Sequence, residues 1–205
     1  MPDRNSIVLA SNNSGKVREI DAILSGINLH VISQSEFSVP DIEETGKTFV
    51  ENAILKARNA ALHTSMSAIA DDSGIEVIAL DGQPGIYSAR YAGVGASDEE
   101  NLRKLVDEVR KLPDNKRQAR FVCLMVYLQH ADDPVPVIAE GIWNGIAVTD
   151  PRGKNGFGYD PMFFLPDYNC TSAELPPEVK NRISHRGQAL RNLVERLKTV
   201  YPALC

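Results

Sequence analysis

The chain has 205 residues, of which 43% are hydrophobic and 24% charged. It is long enough to bury roughly 70% of its unfolded surface around its own core, which excludes a disordered chain, a collagen-like chain and a disulfide-stapled miniprotein. With 22 Lys+Arg against 27 Asp+Glu the net charge is -5, a poor match to wrapping nucleic acid by phosphate neutralisation but no obstacle to binding one small phosphorylated ligand.

Met1-Pro2-Asp3-Arg4-Asn5 carries no apolar stretch, so a secretory signal is not expected. Ser6 to Ala10 reads as a short strand ending in the polar cluster Ser11-Asn12-Asn13-Ser14-Gly15-Lys16. Val17, Ile20, Ile23 and Leu24 then recur at helical spacing. Leu29 to Ile32 reads as a second strand. Thr48 and Glu51 form a capping-box pattern for a long helix with Val50, Ile54, Ala57 and Ala61 on one face. Ser67 to Ala70 is expected as a third strand running into Asp71-Asp72-Ser73-Gly74, and Ile75 to Leu80 as a fourth. Pro84-Gly85 marks a turn, with Ser88 and Arg90 beyond it. Ser97 to Glu100 is a second capping box, for a helix with Leu102, Leu105, Val106 and Val109 buried and an end before Pro113. Arg120 to Gln129 is apolar at nearly every position, as in a central strand covered on both faces. Val135 to Val148 supplies one or two more strands, with Gly141 and Gly145 suggesting bulges. A last helix runs from about Arg186, with Leu190, Leu193, Val194 and Leu197 on one side.

Strands and helices alternate, so a mixed α/β sheet covered by helices on both sides is expected. No Pro-, Gly- or Ser-rich linker divides the chain, and 1–205 reads as a single domain. The longest apolar run, Phe121 to Leu128, falls far short of the ~20 residues of a membrane span. Cys123, Cys170 and Cys205 are odd in number and form no CxxC, which points to a reducing, cytoplasmic setting without a disulfide framework or zinc ribbon.

Four motifs carry chemistry. The Ser11–Lys16 loop lies between a strand and a helix, where backbone N–H groups, the helix end and a lysine suit phosphate. It is not a Walker A loop: Ala10 stands where that pattern needs Gly, and Val17 where it needs Ser or Thr. Asp41/Glu43/Glu44 and Asp71-Asp72 are acid clusters. The second is expected at the C-terminal edge of a strand, where open α/β sheets place ligands, with a shared cation relieving the repulsion of adjacent carboxylates. Hard oxygen donors suit Mg²⁺. The Gly153–Pro161 segment interleaves glycines with Phe157 and Tyr159, which can stack on a base, and Asp160 can accept from a ring N–H. Lys180 with Ser184-His185-Arg186-Gly187 makes a compact cationic group at a helix start. Each alone also reads as ordinary turn, cap or core-plugging structure. Together they supply what a magnesium-dependent nucleotide enzyme needs.

With these motifs in this order, the chain resembles the inosine triphosphate pyrophosphatase family, nearly end to end. The resemblance rests on Ser11–Lys16, Glu43-Glu44-Thr45-Gly46 with Phe49–Ala53, Ala70–Gly74, Pro84–Arg90, Gly156–Pro161 and Ser184–Gly187. The bacterial branch fits best, although its loop often begins Thr-Gly-Asn where this chain has Ser11-Asn12-Asn13. The resemblance implies an elongated mixed sheet with two lobes, an active-site cleft between them, and a homodimer. It implies Mg²⁺-dependent hydrolysis of ITP, dITP and XTP to the monophosphate and pyrophosphate. On that footing Asp72 is expected as general base and metal ligand, Glu43 or Glu44 as further metal ligand, and Asp71 as support. Ser11, Asn12, Asn13, Ser14, Gly15, Lys16 and Ser73 would hold the triphosphate. Phe157, Gly158, Tyr159, Asp160, Lys180, His185 and Arg186 would form the base pocket. Competing readings are a pyrophosphatase for pyrimidine or modified nucleotides and a non-catalytic nucleotide sensor. The Ser184-His185-Arg186 motif disfavours the first, the intact acids and Lys16 the second, and charge disfavours a nucleic-acid or membrane partner.

Overall fold

The structure is a computed structural model that describes residues 6–24 and 30–202. Met1–Asn5, Ser25–Leu29 and Ala203–Cys205 lie outside the described residues, and with them the expectations placed on the N-terminus, Leu29 and Cys205. Seven strands form one mixed sheet in the order β2-β1-β3-β4-β5-β6-β7. They are β1 (Ser6–Leu9), β2 (His30–Ser33), β3 (Ala68–Val77), β4 (Gln118–Leu128), β5 (Val137–Ala147), β6 (Phe163–Leu165) and β7 (Cys170–Thr171). β1 is parallel to β2 and β3, whereas β5–β6 and β6–β7 are antiparallel. Parallel neighbours need crossovers, and α1 (Ser14–Leu24) and α2 (Phe49–Thr64) supply them. The other helices are α3 (Asp98–Arg110), α4 (Pro177–Ile183) and α5 (His185–Val200).

The chain divides into two compact units. The first holds the residues up to Asp72, Cys123–Gly141 and Arg186 onward. Its strands alternate between two apolar layers because successive side chains leave a strand on opposite faces. Ile7, Leu9, Ile69, Cys123, Met125 and Tyr127 pack with Ile20 and Leu24 of α1 and with Leu190, Leu193 and Leu197 of α5. Val8, Ala68, Ala70, Val126 and Leu128 pack with Ala53, Ala57, Ala60 and Ala61 of α2. The run of small residues on α2 lets that helix lie close to the strands. The second unit holds Ser73–Val122 and Ile142–His185. Its core gathers Ile75, Val77, Leu105, Val106, Val109, Phe121, Trp143, Met162 and Phe163.

Most expected elements form, with four corrections. The third and fourth strands are one, β3, and Ile78–Leu80 is a 3₁₀ turn. The described part of the second strand, His30–Ser33, runs one residue past the end that its apolar run suggests. Gly145 lies within a continuous β5, where a Cβ would stand 2.7 Å from the Phe163 ring, so the glycine serves a close approach and not a bulge. A further helix, α4, precedes the last one and carries Lys180. The Ser97 capping box forms with both reciprocal bonds. At Thr48 the helix is capped by the threonine side chain, but Glu51 reaches back to the Lys47 N–H and the Thr48 hydroxyl.

Candidate active site

Asp and Gly are poor strand formers, so Asp71-Asp72-Ser73-Gly74 reads locally as a break. Tertiary contacts override that preference. Asp71 and Asp72 are 1% and 6% exposed within β3, not at its C-terminal edge and not in a solvated turn. Buried carboxylates persist only when paired. The pleat sends the two to opposite faces, and each finds a different cation. Asp71 meets Lys16 of α1 at 3.0 Å and Arg186 of α5 at 3.3 Å. Asp72 meets Lys56 of α2 at 3.1 Å and accepts from Asn52 Nδ2 at 3.3 Å. Within the protein each carboxylate is therefore paired by its own side chains, Asp71 by Lys16 and Arg186 and Asp72 by Lys56.

Their environments pull the two acids apart. Burial opposes ionisation of both. At Asp71 the Lys16 and Arg186 charges overcome burial and hold the carboxyl well below the usual range. At Asp72 burial dominates, Glu44 adds like-charge repulsion, and the carboxyl is pushed up despite Lys56 and Lys16. Burial pulls Lys56 down, but Asp72, Asp71 and Glu44 outweigh it and raise the ammonium's pKa. Arg186 is likewise buried, and Asp71 and Glu19 keep it charged. Burial and the Asp71 charge push the neighbouring Cys123 thiol up to about 12, which makes it inert as a nucleophile.

Asp41, Glu43 and Glu44 do not act as one cluster. Asp41 accepts from Asn12 Nδ2 at 2.6 Å, Glu43 is exposed, and Glu44 meets Lys56 at 2.8 Å. The Glu44 segment is seated by Asn52, whose Oδ1 accepts the Gly46 N–H at 2.8 Å. In the first loop Asn13 caps α1, accepting the Lys16 N–H at 3.0 Å. Helix geometry leaves the first-turn N–H groups of Ser14 and Gly15 without intrahelical partners.

The other expected residues belong mostly to the second unit. Asp160 is buried and already engaged: it accepts the Phe157 N–H at 2.8 Å and the Ser172 hydroxyl at 2.8 Å, and pairs with Lys180. These bonds make it an anchor for its loop. Tyr159 is buried, with its hydroxyl donating to the Ser88 carbonyl at 2.7 Å, so it plugs the core and does not present a face. Phe157 is half-buried, with the Lys180 ammonium 5.1 Å from its ring centroid. His185 is buried and stacks on Phe121 at 4.6 Å between centroids. Ser73 is half-buried on β3. Arg186, expected beside His185 in the base pocket, instead bonds Glu19 and Asp71 in the first unit.

A model of the Ham1 family matches residues 7–196. The chain belongs to the Ham1 family. The dITP/XTP pyrophosphatase of Thioalkalivibrio sulfidiphilus is 59% identical over 192 residues, which span 94% of this chain and 98% of that one. The protein of the same name from Vibrio cholerae is 55% identical, over 94% of this chain and 96% of its own length. A HAM1 protein from Coxiella burnetii matches with a TM-score of 0.87 at 50% identity, over 95% of this chain and 99% of that one. The family resemblance drawn from the motifs holds. In this Ham1 chain, Asn52 lies within the Phe49–Ala53 motif but was given no role there, and the motifs passed over Lys56 and Glu19. A signal for the first two was present: a polar pair at i, i+4 inside a helix otherwise lined with alanines, the spacing that puts both on one side.

Proposed function

We propose that this Ham1 protein hydrolyses non-standard purine nucleoside triphosphates, dITP, ITP and XTP, to the nucleoside monophosphate and pyrophosphate. The observation that carries the reading is the junction at Lys56, where one ammonium lies 2.8 Å from Glu44 and 3.1 Å from Asp72. The names of the relatives support the substrate class.

Among the described residues no group of three or more His, Cys, Asp or Glu could hold a metal on protein ligands alone. Mg²⁺ asks for less: one or two carboxylates, with substrate phosphates and water completing its shell. Glu44 and Asp72 fit that demand, since they already converge on one cation, and we assign them in preference to exposed Glu43. When bound, Mg²⁺ would neutralise charge developing on the phosphate oxygens and the leaving pyrophosphate.

The remaining roles fall to the chain itself. Asp72 takes a proton from the water that attacks the α-phosphorus, a role that its burial, which opposes ionisation, supports. Lys16 and the first turn of α1, with Ser11, Asn12, Asn13 and Ser73, hold the triphosphate. Asp71 is a positioning residue that fixes Lys16 and Arg186. Phe157 stacks on the purine, with its backbone N–H held by Asp160 and the Lys180 ammonium 5.1 Å from its ring centroid. Hypoxanthine and xanthine carry a carbonyl at C6 where adenine has an amino donor. A donor from His185 aimed at that oxygen rejects adenine, because the buried donor is then unpaired. The resemblance adds a homodimer and a cytoplasmic setting to the proposal.

Pyrophosphate release across dITP, XTP, GTP and ATP, with Mg²⁺ and with chelator, tests the reading. Turnover of dITP and XTP should exceed that of ATP and GTP by roughly a hundredfold or more and vanish in chelator. Equal rates on ATP would overturn it.

A further inference from the structure

Pro84–Tyr91 is singled out by sequence yet has no part in the reading above. Its Gly85–Arg90 stretch is a 3₁₀ turn pressed against β3. The strand makes room for it: a Cβ at Gly74 would stand 2.4 Å from the Gly85 carbonyl oxygen and 2.4 Å from Ser88 Oγ. Ser88 is buried. Its hydroxyl donates to the Gly85 carbonyl at 2.6 Å and accepts the Ile75 N–H at 3.1 Å. Its own carbonyl accepts from the Tyr159 hydroxyl at 2.7 Å. Burial pushes the Tyr159 hydroxyl up, so it stays a donor at any working pH. Asn101 of α3, also buried, secures the far end, donating to the Ala89 carbonyl at 3.1 Å and accepting the Ala92 N–H at 2.7 Å. A continuous run of hydrogen bonds thus links the β3 backbone at Ile75, through Ser88, to the ring two residues beyond Phe157. Every member lies in the second unit.

We propose that Ser88 and Tyr159 are positioning residues that fix the Phe157 loop for the purine by tying it to β3. The proposal rests on the reading of Phe157 as the stacking platform. The Tyr159 hydroxyl acts through Ser88 and not on substrate, because its buried donor is committed to the Ser88 carbonyl. Loss of that hydroxyl leaves a buried acceptor without its donor and frees the loop at one anchor, while the triphosphate-binding residues are untouched.

The test compares Tyr159→Phe and Ser88→Ala with Tyr87→Phe, a control at an exposed neighbour. Three quantities are read: steady-state kinetics on dITP, the inhibition constant of inorganic tripolyphosphate, and amide hydrogen exchange of residues 153–161 without substrate. For Tyr159→Phe we expect KM for dITP to rise about tenfold, with kcat changed by less than about threefold. The tripolyphosphate constant should stay within about twofold, and loop exchange should accelerate about fivefold or more. Ser88→Ala should move in the same direction, and Tyr87→Phe should match the wild type. If Ser88→Ala does not fold, Tyr159→Phe decides alone, since it keeps the ring in the core. Unchanged KM with unchanged exchange overturns the proposal. So does an equal rise in the tripolyphosphate constant, which would mark a general loss of structure. If the wild type fails on dITP while Tyr159→Phe still loosens the loop, the assigned activity falls and the tie between Tyr159 and the loop stands.

Discussion

Lys56→Met keeps the length of the side chain and removes its charge. In the wild type that ammonium lies 2.8 Å from Glu44 and 3.1 Å from Asp72, and the Lys56, Glu44 and Asp72 side chains are 17%, 23% and 8% exposed. Removing one partner of a buried ion pair costs about 3–5 kcal/mol, because the remaining charge is left uncompensated. The partial exposure of this group argues for the lower end, about 3 kcal/mol. At this chain length about 1 kcal/mol corresponds to roughly 2–4 °C in Tm, so the variant should melt about 6–12 °C below the wild type at pH 7.5. The sign of the pH dependence follows from the shifts. Lys56 is raised above its ordinary value of 10.5, so its pairing is intact throughout the neutral range and is lost only in strong alkali. Asp72 is raised above 3.8, so its protonated form is favoured in the fold and its ionised form is a cost that grows as pH rises through that pKa. The variant leaves Asp72 and Glu44 facing each other without the ammonium, which pushes Asp72 further up. Its deficit should therefore shrink as pH falls from 7.5 to 5. Calorimetry at both pH values, in chelator, measures this. A deficit below about 2 °C, or one that does not change with pH, would refute the view that Lys56 neutralises the two carboxylates.

Asp72→Asn should reduce pyrophosphate release from dITP by roughly 10²–10⁴-fold with Tm nearly unchanged, since Lys56 keeps Glu44 as a partner; near-normal turnover would count against Asp72 as the base. Lys16→Ala should raise KM for dITP by about tenfold or more, and an unchanged KM would remove Lys16 from the phosphate site. Glu44→Gln removes the like charge that helps push Asp72 up. The acid limb of its kcat/KM profile should fall at a lower pH than in the wild type, whatever the loss in absolute rate. A limb that moves upward would show that repulsion from Glu44 does not set the Asp72 pKa.

Periodicity was enough to locate α1, α2, α3 and α5, though not the short α4, and motif order was enough to identify the family. Val17, Ile20 and Leu24 mark α1, and Ser97 with Glu100 marks the start of α3, because apolar spacing and caps are local properties. The shape of the site was less legible. Asp71-Asp72-Ser73-Gly74 has the composition of a turn, and only partners remote in sequence, Lys16, Lys56 and Arg186, keep it extended. Gly74 is read locally as a breaker, but its role is to admit Gly85 and Ser88. Asp160 and Tyr159 look like ligand groups in a glycine-rich loop, and long-range bonds to Lys180, Ser172 and Ser88 turn them inward. Lys56 and Asn52 sit within a helix whose caps and apolar face already explain it, so their i, i+4 spacing is the one local mark they carry, and their partners Glu44 and Asp72 are remote in sequence.

The pleat of β3 accounts for why two identical residues side by side can do different work. A single carboxylate pairing strongly with Lys16 and Arg186 would be a firm anchor and a poor base, because its proton affinity is driven far down. A carboxylate left to burial alone would be a fair base that fixes nothing. Placing Asp71 and Asp72 on consecutive positions sends one to the α1 and α5 face and the other to the α2 face. One strand thereby delivers the same side chain into two environments that push its pKa in opposite directions. Pairs of titratable groups separated in this way mark acid–base assignments. On that ground the proposed reading gives the proton to Asp72, and to Asp71 the fixing of Lys16 and Arg186. Exchanging the two environments by a one-residue slip of β3 would exchange the roles. The pairings of Asp71 with Lys16 and Arg186 and of Asp72 with Lys56, which such a slip would break, hold the register.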